Sequence, residues 1–250
     1  MKRNLSHDYR KLIARWRQVC RSNGLRMHRV GEISDPFVYV VFSPLIESDV
    51  KMIYLSAGVH GDESGATEGL LRWAESSQLQ LNSLPLLIFP CLNPWGLKNN
   101  SRFDSQGIDL NRVWDQSNHP LIGPIIDQTN KLSLKLVLNL HEDYDGQGIY
   151  LYEPSTGGRP GEWAERILLS AELLIPRDQR KSIEGRKCRN GIIRPRPHKP
   201  PADGMPEALH LYLTHHCPTF TIETPSEMDL DIRAQAHEKM ISEAIRMASA

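Results

Sequence analysis

Residues 51 to 73 read KMIYLSAGVHGDESGATEGLLRW. The apolar run KMIYLSAG has the length and composition of a strand, and apolar residues recur at helical spacing over 64 to 76. Between them lies a short glycine-containing turn that carries His60 and Glu63. A strand that turns directly into a helix is the unit from which α/β domains are built. Both side chains leave the strand exit and can face one point. Zinc accepts imidazole nitrogen and carboxylate oxygen at about 2.0 to 2.2 Å, so His60 and Glu63 are candidate ligands. The pair alone is a weak signal, since a chain with ten histidines contains about one such spacing by chance. Its place in the chain gives it weight, because ligands of open α/β sheets sit beyond the carboxyl ends of the strands.

Further out, FVYVVFSP from Phe37, LPLLIFPCL from Leu84, LKLVLNLH from Leu134 and TFTIETPS from Thr219 also read as strands. Several are apolar at consecutive positions, the pattern of strands covered on both faces. Helical spacing also appears over 161 to 174, 206 to 216 and 229 to 248. The order predicts an α/β fold, a mixed, mostly parallel twisted sheet with helices on both faces. At 250 residues and 40% hydrophobic content, one domain spanning 1 to 250 is expected. The Gly- and Pro-rich tracts 155 to 161 and 194 to 206 are expected to be loops rather than linkers.

Thirty basic residues balance thirty acidic ones, so no global field draws the chain to nucleic acid or an anionic membrane. The amino terminus lacks a signal-peptide core and no run of about 18 apolar residues occurs, which predicts a soluble cytoplasmic protein. Cys20, Cys91, Cys188 and Cys217 show no paired spacing, so neither disulfides nor a cysteine metal cluster are expected.

A catalytic zinc needs a third protein ligand and an open position. LKLVLNLHEDYDG ends an apolar strand at His141, followed by Glu142 and Asp143. His141 is taken as the ligand; either acid could instead ligate, or accept an imidazole N–H and so fix its tautomer, and Glu142 is assigned to the surroundings. A solvated imidazole at a strand end is the plainer account of His141. Glu223 stands near the end of TFTIETPS, where partial burial beside a metal would tune it as a general base. The plainer account is a glutamate already in solvent.

The segments HGDE, NPWG followed by SRFDSQGIDLNR, LHE and IETPS occur here in the order in which they occur in the zinc carboxypeptidase superfamily, which this chain resembles from about Tyr54 to Ser226. That superfamily includes murein peptide amidases and the succinylglutamate desuccinylase and aspartoacylase branch. The resemblance implies one zinc ion on His60, Glu63 and His141, with Glu223 as base and proton shuttle. It implies that Arg102 polarises the scissile carbonyl and that Asn111 and Arg112 receive a terminal carboxylate, which a guanidinium binds through two parallel hydrogen bonds. The alternative for Arg112 is a surface ion pair with Asp109.

The digestive carboxypeptidases carry a tyrosine on a mobile loop before the catalytic glutamate, whereas here that region reads HKPPADGMPEALHLY, with Tyr212 inside a predicted helix. Asp203 to Glu207 is where a specificity pocket is expected. LHE and IETPS look closest to the murein peptide amidases, which cleave between γ-D-glutamate and diaminopimelate. The implied activity is hydrolysis of a C-terminal peptide or γ-D-glutamyl amide bond. The alternatives are an N-acyl amino acid deacylase and a silent domain that keeps the site for binding. Residues 177 to 199 hold nine basic residues against Asp178 and Glu184. Without interleaved aromatics they read as a solvated face rather than a nucleic-acid site, or as a border that attracts an acidic small peptide or acyl amino acid substrate.

Overall fold

The computed structural model describes residues 5–31, 36–45, 50–155, 161–196 and 201–249. A 3-10 turn at Leu5–His7 leads into helix α1 (Tyr9–Asn23). Asp8 caps it by accepting from the Lys11 N–H at 3.1 Å, and Gly24 ends it at φ 65°. Its buried residues Tyr9, Leu12, Ile13, Trp16, Val19 and Cys20 fall at three- and four-residue steps, which makes one apolar stripe among charges. Strands β1 (Arg26–Val30), β2 (Val38–Phe42) and β3 (Met52–Ala57) lead to α2 (Ser64–Ser76). Then come α3 (Gln78–Ser83), β4 (Leu86–Phe89), α4 (Pro94–Asn99), α5 (Ile122–Thr129) and β5 (Leu134–Asp143). Next are β6 (Tyr150–Tyr152), α6 (Trp163–Ala171), β7 (Ser182–Ile183), β8 (Arg186–Arg189) and β9 (Ile192–Ile193). The chain closes with α7 (Glu207–His215), β10 (Thr219–Pro225) and α8 (Leu230–Ala248).

All ten strands form one sheet in the order β1-β2-β4-β3-β5-β10-β6-β9-β8-β7. Its centre, β4-β3-β5-β10, is parallel, while β1 and β2 on one side and β6 beside β10 pair antiparallel. Alternate residues serve opposite faces. Ile53, Leu55, Leu136, Leu138 and Leu140 pack with α1, α2, α6 and α8 on one face. Met52, Tyr54, Val137 and Phe89 pack with Trp114, α5 and Leu211 of α7 on the other. Fold class and the helix spans over 64 to 76, 161 to 174, 206 to 216 and 229 to 248 agree with the sequence reading to within a few residues. The sequence reading missed α1, α3, α4, α5, β1 and the short strands β6 to β9. Of the two tracts expected as loops, residues 156–160 and 197–200 lie outside the described residues; the rest has no regular structure beyond a bridge from Met205 to Val113. All four cysteines are buried and free. Among the described residues no helix is long and apolar enough to cross a membrane.

Strand parity positions the functional residues. Asn139 and His141 lie on the α7 face of β5, and Glu142 lies on the α2 and α8 face. Glu223 of β10 stands in parallel register with His141, so both emerge on the same side.

Candidate metal centre

His60 follows β3 by three residues and Glu63 immediately precedes α2, so a tight turn must hold them. It is tight because two backbones touch. A Cβ on Gly61 would lie 1.9 Å from the carbonyl carbon of Gly96 in α4, and the Gly61 N–H donates to Ser101 O at 3.0 Å. The glycines of HGDE and NPWG are thus two sides of one contact. Asn93 fixes α4 by accepting from the Gly96 N–H at 2.8 Å, and its amide donates to Arg102 O at 3.3 Å.

The turn brings His60 and Glu63 against His141 at the β5 exit. Nδ1 of His60 lies 2.5 Å from Glu63 Oε1, Nδ1 of His141 lies 3.0 Å from Glu63 Oε2, and the two rings are 5.1 Å apart. One ligand atom from each residue falls within 4.8 Å of the others, and all three side chains are buried. The donor set fits a divalent cation, since two imidazoles and a carboxylate are preferred ligands of zinc. The carboxylate supports the same fit, because Glu63 Oε2 is buried without a hydrogen bond of proper geometry.

The second nitrogen of His60, Nε2, lies 3.2 Å from Asp109 Oδ1, which fixes the tautomer and leaves Nδ1 facing Glu63. Asp109 also caps the turn at Leu110–Arg112, accepting from the Asn111 N–H at 2.9 Å. Its other oxygen accepts from Arg102 Nη2 at 2.9 Å and Nε at 3.1 Å. The alternative weighed from sequence, a surface ion pair of Arg112 with Asp109, is not formed: Arg112 Nε donates instead to Asp203 at 2.7 Å. A role for Glu142 as acceptor for a ligand imidazole is likewise not formed. It faces the other side of the sheet, where it accepts from the Gly65 N–H at 2.8 Å, from Thr224 Oγ1 at 3.1 Å and from Arg233 Nη1 at 2.6 Å.

The charges explain one another. Burial works against a charged His60, yet Glu63 and Asp109 hold its pKa up at about 9. His141 is raised by Glu63 and Glu223, also against burial. Glu63, despite burial, is lowered by the two imidazoles. Burial pushes Glu223 well above the usual carboxylate range, resisted by His141 and reinforced by Glu63 and Asp143. Burial also lifts Glu142 to about 7 in spite of Arg233.

His60, Glu63, Arg102, Asn111, Arg112, His141 and Glu223 all line one cavity of about 980 Å³. Every site residue singled out from sequence is therefore brought together. Glu223 is 9% exposed, and its carboxylate has no hydrogen bond or ion pair among the described residues. Asn111 is partly committed, since its Oδ1 accepts from the Glu207 N–H at 2.8 Å. Asp203 to Met205 run alongside Arg112, with the Met205 N–H donating to Arg112 O at 3.0 Å. Gly204 sits at φ 114°, where a Cβ would come within 2.1 Å of that oxygen. Tyr212 lies in α7, as expected, and the tyrosines lining the cavity are Tyr144, Tyr150 and Tyr152. Tyr150, which sequence reasoning passed over, stands directly across from Glu223 in the β6–β10 pair and donates to Asp143 Oδ2 at 3.0 Å.

Three of the nine basic residues of the run pair with acids among the described residues, and Arg186 to Arg189 form strand β8. Arg177 pairs with Glu165 and Glu172, Arg180 with Asp178 and Asp143, and Arg194 with Glu153. Only Arg186 and Arg196 of the run line the cavity, and Lys199 lies outside the described residues.

Residues 49–151 match the family described as the succinylglutamate desuccinylase/aspartoacylase catalytic domain. No curated protein sequence matches the chain. Among solved structures, a metallopeptidase candidate from Shewanella denitrificans OS217 superposes with a TM-score of 0.86 at 21% identity, over 97% of this chain and 91% of that one. A second candidate, from Shewanella amazonensis SB2B, gives 0.85 at 20% identity over 97% and 94%. A metallo-carboxypeptidase from Pseudomonas aeruginosa, in complex with (2-guanidinoethylmercapto)succinic acid, gives 0.69 at 17% identity over 94% and 68%. The chain thus shares its fold with these structures, and the segment matched by the family contains His60, Glu63 and His141.

Proposed function

We propose that this protein is a zinc-dependent hydrolase of an amide bond next to a carboxylate-bearing residue, a C-terminal peptide or γ-D-glutamyl amide. The observation that carries the reading is the convergence of His60 Nδ1, His141 Nδ1 and the Glu63 carboxylate on the wall of a cavity that is also lined by the buried, unpaired carboxylate of Glu223. His60, Glu63 and His141 would hold one ion, which when bound supplies Lewis acidity, lowering the pKa of a water to about 7 and polarising the scissile carbonyl.

The chain's own residues supply the rest. Glu223 takes the proton of the attacking water and returns it to the leaving amine, a role open to a buried carboxyl with no competing partner. Arg102, gripped by Asp109, offers its remaining guanidinium N–H groups to the developing oxyanion. Asn111 and Arg112 bind the carboxylate of the leaving residue, which must share Arg112 with Asp203. The cavity is about 980 Å³, at the top of the roughly 300–1,000 Å³ of small-molecule sites, so it has room for more than a short acyl group. A second reading, an N-acyl amino acid deacylase, is favoured by the family matched over 49–151.

The test is a panel of C-terminal dipeptides, γ-D-glutamyl peptides and N-acyl amino acids offered to zinc-loaded protein. Fastest cleavage of a peptide class supports the first reading, and fastest release of a short acyl group supports the second. Binding without any cleavage would leave a silent binding domain. Glu223→Gln is expected to retain about one zinc per chain by elemental analysis and to lose turnover by at least about 1,000-fold. Near-normal turnover in that variant would remove Glu223 from the mechanism.

A further inference from the structure

Below the metal centre, on the α7 face of the sheet, lies a group of buried polar side chains that the reaction does not use. Glu207, the first residue of α7, is 1% exposed. Its Oε1 accepts from the hydroxyl of Tyr54 on β3 at 2.6 Å. It adjoins Ser56 on β3 and Asn139 on β5, and the Asn139 amide donates to Ser56 Oγ at 2.9 Å. Two oxygens remain without a donor: Glu207 Oε2 and Asn139 Oδ1, both fully buried. No ion pair to a cation is made by Glu207 among the described residues. An ionised carboxylate placed there would be a buried charge that His141 acts on without an ion pair, with Oε2 left unsatisfied, a costly arrangement. One proton on Oε2 removes the charge and turns that oxygen into a donor.

The backbone of the same residue reaches the substrate side of the cavity. The Glu207 N–H donates to Asn111 Oδ1 at 2.8 Å. That bond uses up the carbonyl end of the Asn111 amide, so Nδ2 is the end left to meet a ligand. Arg112 adjoins the same point, with Nη1 donating to Asn111 O at 2.9 Å.

We propose that Glu207 is a positioning residue: as a neutral carboxylic acid it pins the amino end of α7 to β3 and β5, and through its backbone N–H it holds Asn111 with the amide nitrogen turned to the substrate carboxylate. The functional half rests on the proposed role of Asn111 as a carboxylate ligand, and the protonation half does not. Burial raises the Glu207 pKa above the usual carboxylate value, outweighing the Ser56, Tyr54 and Asn139 hydrogen bonds and the His141 charge that lower it.

Glutamine is the neutral isostere, able to accept from Tyr54 as the protonated acid does. Glu207→Gln is therefore expected to keep kcat and KM within about twofold of the parent. Glu207→Ala, which frees the α7 amino end, should raise KM for a carboxylate-bearing substrate roughly tenfold with kcat nearly unchanged, the size of one lost hydrogen-bonded contact. The second readout needs no turnover. A carboxyl whose folded pKa is raised contributes stability below its unfolded pKa, near 4.3, and loses it as pH rises toward the folded value. The unfolding equilibrium constant of the zinc-loaded parent, divided by that of Glu207→Gln, should thus rise as pH rises above about 4.3, by up to about tenfold per unit. A ratio independent of pH, or one that falls, overturns the neutral acid. A Glu207→Gln variant whose KM rises as far as that of Glu207→Ala overturns the positioning role. If the parent cuts none of the panel, the proposed function fails, and the pH ratio still decides the protonation state.

Discussion

Asp109 accepts from His60, Arg102 and the Asn111 backbone, and so ties a metal-ligand candidate, the proposed oxyanion donor and a proposed carboxylate ligand to one side chain. Acceptors behind a ligating imidazole typically contribute about 10–100-fold to metal affinity. Asp109→Ala is accordingly expected to weaken zinc by that factor in competition with a chromophoric chelator, and to lower kcat more than the metal loss explains, because Arg102 is released as well. Zinc affinity equal to the parent's would show that His60 is oriented by something other than Asp109. Sequence could name Asp109 and could not give its partner. It lies three residues from Arg112, and the fold alone brings His60 in from 49 positions away. His60, Glu63, His141 and Glu223 were legible because each stands at the exit of a strand whose apolar run is unmistakable. Glu207 was not, since in sequence it is one more acid opening a helix, and only the β3 and β5 side chains above it make it a buried acid.

At the level of elements, the parallel centre of the sheet was readable because strands covered on both faces are uninterrupted in sequence, as in LKLVLNL. Helix α1 was harder, since its six buried residues are interleaved with four arginines and a lysine and resemble a charged surface segment. Strands β7 to β9 contain two to four residues each, too short to show a period. The contact of the HGDE turn with α4 was also hidden, because a glycine's close approach has no sequence period. It is open to test. Gly61→Ala would drive a methyl group into the Gly96 backbone, where neither partner is a flexible side chain. The expected cost is about 3 kcal/mol, the upper part of the overpacking range, read as a lowered denaturation midpoint with an unchanged m-value. Because the same turn carries His60 and Glu63, zinc affinity should fall in parallel. A variant as stable as the parent would mean that α4 moves away freely, and the turn would then owe its shape to something else.

Over the whole molecule, the charge balance hides a local organisation. Arg177, Arg180 and Arg194 are matched to acids on neighbouring elements, which turns an apparent basic run into the edge of the sheet, with Arg186 and Arg196 left on the cavity wall. The two halves of the sheet meet at the metal centre, since His60 and Glu63 leave from β3 and α2 while His141 and Glu223 leave from β5 and β10. An ion bound there joins segments more than eighty positions apart, and the unfolded chain has no equivalent site, so binding energy becomes folding stability. At a free zinc concentration about 1,000 times Kd the gain is about 4 kcal/mol, which for a chain of this length corresponds to a rise in Tm of roughly 8–16 °C. Thermal unfolding with zinc and with a chelator should show that interval, and it should disappear in His141→Ala while the chelated parent and the variant melt close together. If the parent melts at one temperature under both conditions, the three side chains do not share an ion, and neither the proposed chemistry nor the assignment of Glu223 survives.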